Sequence, residues 1–179
     1  LSLYDPVSKY IPDFTGANQS EPIRIWHLMC HTGGYFPLPR ILIEDVANDM
    51  GLDEERDGDF AYNEALAIEG VKRVAKRLDA QTELNGRPGE NLSYCNDGFA
   101  LLSDIVRTLG DQDSFAGYLN KHVLEPLGMT RSYCDFVTPK NDPNSAALYI
   151  KRDGKRVVTH NYHDNAFVLN GGGAMKSTI

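Results

Sequence analysis

The sequence has few of the features that mark a membrane protein or a nucleic-acid-binding protein. It contains no run of about twenty apolar residues, so no membrane span is expected. Acidic residues outnumber basic ones by 25 to 18, the formal net charge is −7, and no basic stripe is present. Nucleic acid is therefore excluded as a partner, because its binding requires clustered cations that displace the phosphate counterions.

Cysteine is also scarce, with only Cys30, Cys95 and Cys134 present. An odd number without metal-site spacing favours reduced thiols over a disulfide framework or a zinc site. Cys95 has two interpretations: a thiol whose pKa is lowered near a helix N-terminus, or a small residue that only fills space. His27 and His31 are four residues apart, but the glutamate of a His-Glu-x-x-His motif is absent, so neither a metal nor a cofactor is expected.

What is present is typical of one soluble globular domain. The chain has 179 residues, of which 41% are apolar and 24% are charged. This length is enough to bury a substantial core, and no internal repeat or low-complexity tract divides the sequence. We therefore expect residues 1–179 to form a single domain, or part of one.

Apolar periodicity and turn signals predict a mostly helical chain with one hairpin. The predicted helices run over about 6–10, 21–31, 64–78, 97–109 and 114–124. Their predicted first residues or caps are Asp5, Ser20 or Glu21, Asn63, Asn96 or Asp97, and Asp113. The residues predicted to face inward are Ile25, Leu28 and Met29; Ala67, Val71, Val74, Ala75 and Leu78; Phe99, Leu102, Ile105, Val106 and Leu109; and Phe115, Leu119 and Val123. Asp153-Gly154 predicts a β-hairpin between 146–151 and 156–160.

An acidic segment lies at residues 44–59, within a region (35–62) that is predicted to be rich in loops. It holds eight acids and one base, Arg56, so it carries a net charge equal to that of the whole chain. The simpler interpretation is a solvated acidic loop. The functional alternative is a lid near a substrate cleft that disfavours anionic substrates.

The stretch from Arg87 to Asn96 combines a turn signal, a Tyr-Cys-Asn triplet and the start of a predicted helix. Pro88-Gly89 is a turn signal, and a strongly periodic helix that stops near Gly110 follows Asn96. Tyr94 and Asn96 precede or open this helix, and in an extended segment their side chains point the same way. A phenol and a carboxamide would then lie together at a helix N-terminus, where the dipole favours negative charge.

Five ordered motifs resemble one known family. Tyr94-Cys95-Asn96, preceded by Pro88-Gly89, resembles the Tyr-x-Asn motif of the serine β-lactamase-like hydrolases, which include class C β-lactamases, DD-peptidases, D-aminopeptidases and related esterases. The other four matching segments are 3–12 ("L-D-D-P-V-x-K-Y-L-P"), 25–34 ("L-x-H-L-L-x-H-T-S-G"), 125–130 ("x-P-L-G-M-x") and 171–178 ("G-G-G-L-x-S-T"). The order of the matches identifies the chain as a member of this family.

The resemblance implies an α+β, mostly helical fold: the helical lobe of the serine β-lactamase-like, penicillin-binding-protein-type transpeptidase fold, with a small β-hairpin. It implies acyl transfer through a serine acyl-enzyme, acting on a small-molecule or peptide substrate that is a β-lactam, a D-amino peptide or an ester. Tyr94 would be the proton-transfer group, and Asn96 would hydrogen-bond the catalytic lysine or the substrate amide. Gly171, Gly172 and Gly173 would bring backbone close to the substrate.

The sequence departs from the family at its nucleophile. No serine is followed by a lysine three positions on, so the Ser-x-x-Lys motif is absent, as is the late Lys-Thr-Gly or His-x-Gly strand. We therefore expect a central fragment of the enzyme that is inactive by itself. It is also expected to self-associate through an uncovered apolar face, or to be covered there by the rest of a longer polypeptide. The alternatives are a non-catalytic helical binding module derived from the family and a metal hydrolase built on His27, His31, His160 and His163.

Overall fold

The computed structural model describes residues 1–38, 43–52, 64–134, 138, 141–159 and 170–178. Three sequence-based predictions lie outside these residues: the Asn63 cap, the roles of His160 and His163, and the second half of the acidic segment, 53–59. The helices are α1 (Ile25–Met29), α2 (Ile43–Asp49), α3 (Glu64–Asp79), α4 (Asn96–Leu109) and α5 (Phe115–Leu119). A π-helical turn (Asn120–Leu124), the strands β1 (Leu148–Arg152) and β2 (Lys155–Thr159), and 3₁₀ turns at Val7–Lys9 and Asn170–Gly172 complete the described elements. The predicted α+β, mostly helical fold is confirmed.

Helix α4 is the centre of the fold, because it contacts α1, α3, α5 and the Asn170–Gly172 turn. Its buried side consists of Gly98, Ala100, Leu101, Ser103 and Ile105. The predicted inward stripe is therefore confirmed at Ile105 and in part at Leu102, which packs half-buried against the core, but it is wrong at Leu109, which is 53% exposed. Small residues replace the expected large ones because α1 approaches closely; a Cβ added at Gly98 would lie 3.3 Å from Leu28.

The N-terminus of α4 is not capped as predicted. Cys95 is the N-cap and its side chain makes no capping hydrogen bond, so Asn96 is the first helical residue. Asp97 instead accepts the Leu38 N–H at Oδ2, over 2.9 Å, and is buried. The carboxylate therefore fixes a remote loop to the start of α4, which is why it does not cap its own helix.

Helix α1 begins later than predicted, at Ile25 rather than near Glu21. The residues before it form a backbone bridge between Pro6 and Arg24, and the Val7 N–H donates to Ile23 O over 2.8 Å. Because this pairing requires an extended backbone, it prevents an earlier helical turn. The prediction that Met29 faces inward is also wrong, since its side chain is 49% exposed.

Helix α3 confirms the sequence prediction most closely. The whole predicted stripe is buried, together with Leu66, which the prediction omitted. Asp79 ends the helix, where its carboxylate accepts the N–H groups of Thr15 and Gly16 over 2.6 and 2.8 Å. These bonds attach the N-terminal segment to α3.

The acidic segment begins as a helix rather than as a loop. Helix α2 contacts α3, and its Val46 side chain is fully buried. Asp49 pairs with Arg73 of α3 over 2.6 Å, so one of the segment's charges is neutralised in an ion pair. The prediction of a wholly loop-like acidic segment is therefore wrong for residues 44–49.

Helix α5 is capped by Ser114 rather than by Asp113, because the Ser114 hydroxyl accepts the Gly117 N–H over 2.9 Å. The helical segment ends near Leu124 as predicted, but its last five residues form the π-helical turn. This wider turn rotates the apolar face, so Leu124 is buried while Val123 is 37% exposed. The prediction that Val123 faces inward is therefore wrong, because it assumed an ordinary α-helical period.

The predicted hairpin is confirmed. Strands β1 and β2 pair antiparallel in the register Ile150 with Val157 and Arg152 with Lys155. The two-residue turn has positive φ at both Asp153 (51°) and Gly154 (77°), the conformation of a type I′ turn. In the described part of the chain, no helix is long and apolar enough to cross a membrane.

The Tyr35 hydroxyl is buried and has no hydrogen-bond partner among the described residues. Burial raises the pKa of Tyr35, so the group stays protonated and retains an unsatisfied donor. Tyr35→Phe is therefore expected to raise the free energy of unfolding by about 1 kcal/mol, measured by urea denaturation.

Tyr10→Phe is the matched control, because the Tyr10 hydroxyl donates to Asp5 Oδ2. It is expected to destabilise the protein. A loss of stability in Tyr35→Phe as large as that in Tyr10→Phe would contradict the prediction.

Candidate active site

Tyr94 projects from an extended segment directly before α4. Its side chain is 64% exposed, while the neighbouring Cys95 backbone is extended, with φ −136° and ψ 98°. Asn96 is half-buried in the first turn of α4. The structure thus places both predicted residues at the N-terminus of a 14-residue helix, where the dipole favours an anionic group.

His31 holds the segment that carries Tyr94. The Ser93 N–H donates to His31 O over 2.8 Å, and the Cys95 N–H donates to His31 Nδ1 over 3.1 Å. The imidazole ring also stacks on Tyr94, with 4.3 Å between ring centroids, and lies 5.1 Å from the Phe99 ring. Sequence reasoning considered His31 as part of the 25–34 motif and as a metal ligand. It lies 64 positions from Cys95, so no local pattern indicates this contact.

The loop before Tyr94 is tied to the residues that follow α1. The Gly89 N–H donates to Thr32 O over 2.7 Å, and the Asn85 N–H donates to Gly34 O over 2.9 Å. Together with the two bonds to His31, these contacts align residues 85–95 along 31–34. The rigid part of the site is therefore a pair of adjacent loops.

Cys95 has the opposite character from a reactive cysteine. Burial, followed by the nearby Asp97 carboxylate, raises the pKa of its thiol to about 12. The interpretation that the helix N-terminus lowers this pKa is therefore wrong. Cys95 is a buried core residue, and it is not in a disulfide.

The histidine pair does not have the geometry that was considered for a metal site. Helix α1 ends at Met29, and His31 has a left-handed backbone with φ 56°, so the two rings do not share a helical face. His27 Nδ1 accepts the Arg24 N–H over 2.9 Å, and burial is the largest cause lowering the pKa of this histidine. Within the described ranges no cluster of three or more histidine, cysteine or carboxylate groups could hold a metal ion.

The glycine run packs against the middle of α4. The Gly171 N–H donates to the Ser103 hydroxyl over 2.8 Å, and Ser103 in turn donates to Phe99 O over 2.7 Å. A Cβ at Gly171 would lie 2.7 Å from Ser103 Oγ and 3.4 Å from the Phe115 ring, so a larger residue here would require the Ser103 hydroxyl to shift. Phe99 contacts the His31 ring, so it connects the glycine run with the Tyr94 segment.

A cavity of about 480 Å³ lies elsewhere, between α5, the π-helical turn and residues 129–134. None of its lining residues belongs to the Tyr94 segment or the glycine run. In the described part of the chain, Tyr94 of the candidate site is exposed at the N-terminus of α4.

Known proteins are similar to this chain in sequence and in fold. A sequence model described as Beta-lactamase matches residues 1–179. "Protein flp" of Staphylococcus aureus (strain MW2) is 29% identical over 131 residues, which cover 72% of this chain and 22% of that protein.

Among solved structures, the octameric penicillin-binding protein homologue from Pyrococcus abyssi has a TM-score of 0.71 and 26% identity, covering 99% of this chain and 36% of that one. A class C beta-lactamase has a TM-score of 0.64 and 22% identity, covering 99% of this chain and 40% of that one, and shows the shared fold.

The chain spans less than half the length of each of these relatives. The family match, by contrast, extends over all 179 residues. The resemblance inferred from the five motifs is therefore confirmed, and the chain belongs to the Beta-lactamase family.

Proposed function

We propose that these residues are part of the catalytic domain of a serine hydrolase that performs acyl transfer. The observation that carries this proposal is the position of Tyr94: exposed, at the N-terminus of α4, and backed by the His31 ring. The proposed nucleophile lies outside these 179 residues, because no serine within them is followed by a lysine three positions on. The proposed substrates are β-lactams, D-amino peptides or esters.

In the proposed mechanism the serine oxygen attacks the substrate carbonyl and forms an acyl-enzyme, which water then hydrolyses. Tyr94 accepts the serine proton and passes it to the leaving group, sharing this role with the lysine of Ser-x-x-Lys. The reference pKa of tyrosine is about 10, so a cationic neighbour is needed to make its anion available at neutral pH. Asn96 hydrogen-bonds that lysine or the substrate amide.

The glycine run has a supporting role in this proposal. Gly171, Gly172 and Gly173 would present backbone to the substrate, and docking of Gly171 on Ser103 keeps that backbone against α4. The acidic residues at the start of the 44–59 segment would form a solvated surface rather than a lid, since α2 is packed on α3.

The proposal predicts that the full-length protein becomes acylated whereas the 179-residue chain does not. Both are incubated with nitrocefin, a D-amino peptide ester and p-nitrophenyl acetate, and the adducts are located by mass spectrometry. We expect a serine adduct only in the full-length protein. A serine adduct on the 179-residue chain would contradict the assignment of the nucleophile. If neither protein reacts, the alternative is supported: a non-catalytic helical binding module.

We also propose that the 179-residue chain self-associates through an apolar face that the described residues leave partly exposed. Leu109 and Val123 are 53% and 37% exposed, and Phe99, Leu102 and Phe115 are only half-buried. Soluble monomers rarely keep large contiguous apolar patches exposed. Sedimentation at micromolar concentration is expected to show species larger than a monomer. A monomer that binds no hydrophobic dye would contradict this expectation.

A further inference from the structure

His31 makes two hydrogen bonds to the residues on either side of Tyr94. Its carbonyl oxygen accepts the Ser93 N–H, and its Nδ1 accepts the Cys95 N–H. His31 has a left-handed backbone, with φ 56°, a conformation that is uncommon for residues other than glycine but in which asparagine, aspartate and histidine are enriched. One residue therefore supplies a main-chain and a side-chain acceptor to the same short segment.

Tyr94 has little else to hold it in place. Its side chain is 64% exposed, and within the described ranges its hydroxyl has no hydrogen-bond partner. An exposed side chain without such contacts samples several rotamers, and fixing it has an entropic cost. The His31 ring, 4.3 Å away, is the aromatic surface against which the phenol packs. The position of the Tyr94 hydroxyl is thus set largely by His31.

We propose that His31 is a positioning residue, and that its neutral imidazole, with the proton on Nε2, fixes the Tyr94 segment through the Nδ1 bond to the Cys95 N–H. The tautomer follows from the bond itself, because an Nδ1 that accepts a backbone N–H carries no proton. The consequence for catalysis rests on the proposed function, in which Tyr94 moves a proton. Misplacing such a group by about 1 Å is enough to slow the reaction strongly.

Amide hydrogen exchange in the full-length protein tests the hydrogen bond directly. His31→Gly keeps the left-handed backbone but removes the acceptor, so exchange of the Cys95 amide should accelerate about tenfold. His31→Asn tolerates the same backbone and supplies a side-chain oxygen in place of Nδ1, so it should restore most of the protection. The Ser93 amide is an internal reference, because its acceptor is a main-chain oxygen that both variants keep.

His122→Gly is the matched control. His122 also stacks on a tyrosine, Tyr118, with 4.4 Å between ring centroids, and its Nε2 lies 2.7 Å from an Asp111 oxygen. It makes no contact with the Tyr94 segment among the described residues, so exchange at Cys95 should not change. An unchanged Cys95 amide in His31→Gly, or an equal acceleration in His31→Asn, would overturn the proposal.

Two further measurements test the proposal, and the first uses the unmodified protein, so it remains decisive if a variant fails to fold. In the unmodified protein, the ¹⁵N chemical shifts of the His31 ring should show Nδ1 without a proton at neutral pH, and a protonated Nδ1 would overturn the proposal. In kinetic assays, His31→Gly should lower kcat about tenfold with KM nearly unchanged, and His31→Asn should rescue it. If Tyr94→Phe retains wild-type kcat, the proposed function fails, whereas the exchange and tautomer results still decide the role of His31.

Discussion

Replacing Tyr94 with phenylalanine in the full-length protein is expected to lower kcat by about 10²–10⁴-fold, with a much smaller effect on KM. The substitution removes the hydroxyl that moves the proton but keeps the ring that packs on His31. Because the ring and its packing on His31 are kept, the melting temperature should change little. Steady-state kinetics and thermal denaturation of the same preparation separate the two effects.

Tyr118→Phe is the control for this experiment. Tyr118 stacks on His122 much as Tyr94 stacks on His31, and it lies in α5, outside the Tyr94 segment. Removal of the Tyr118 hydroxyl in this variant should leave kcat unchanged. If Tyr94→Phe also had near wild-type kcat, Tyr94 would be a structural residue and the proposed proton transfer would be wrong.

Replacing Gly34 with alanine is expected to lower the free energy of unfolding by about 3 kcal/mol or more. Gly34 has φ +78°, and an added Cβ would lie 2.5 Å from Gly86 O and 2.7 Å from Gln19 Nε2. The Asn85 N–H bond to Gly34 O holds these two loops together at this distance, so they cannot separate without breaking it. Chemical denaturation measures the loss.

Gly128→Ala separates the two causes. Gly128 also has positive φ, +66°, but no atom lies within 4 Å of its added Cβ. Its substitution should lower the free energy of unfolding by about 1 kcal/mol, which is the cost of the backbone conformation alone. Equal losses in the two variants would show that the two loops near Gly34 relax without penalty.

Features that depend on neighbouring residues in sequence could be predicted. Helix α3 follows from its apolar period, and the hairpin follows from Asp153-Gly154, the turn dipeptide that a two-residue connection requires. The family followed from the order of five short motifs, which is independent of any structural detail. These are local patterns, so the sequence is sufficient to identify them.

Features that depend on distant residues could not be predicted. The start of α1 is set by pairing with Pro6 and Val7, and the N-terminus of α4 is set by the use of Asp97 to bind Leu38. The bond from Cys95 to His31 spans 64 positions. Propensity and periodicity contain no information about such contacts, and the π-helical turn before Glu125 breaks the period on which the inward stripe was based.

Chemical labelling of the buried Cys95 thiol, which lies next to Tyr94, would report local opening of the candidate site. Cys30 is exposed, so a thiol reagent should modify it first, whereas Cys95 is shielded and its pKa is raised to about 12. Cys95 can react only in those molecules in which the Tyr94 segment has moved away from the core. Its labelling rate, relative to that of Cys30, would therefore give the free energy of local opening at the site without any probe being introduced.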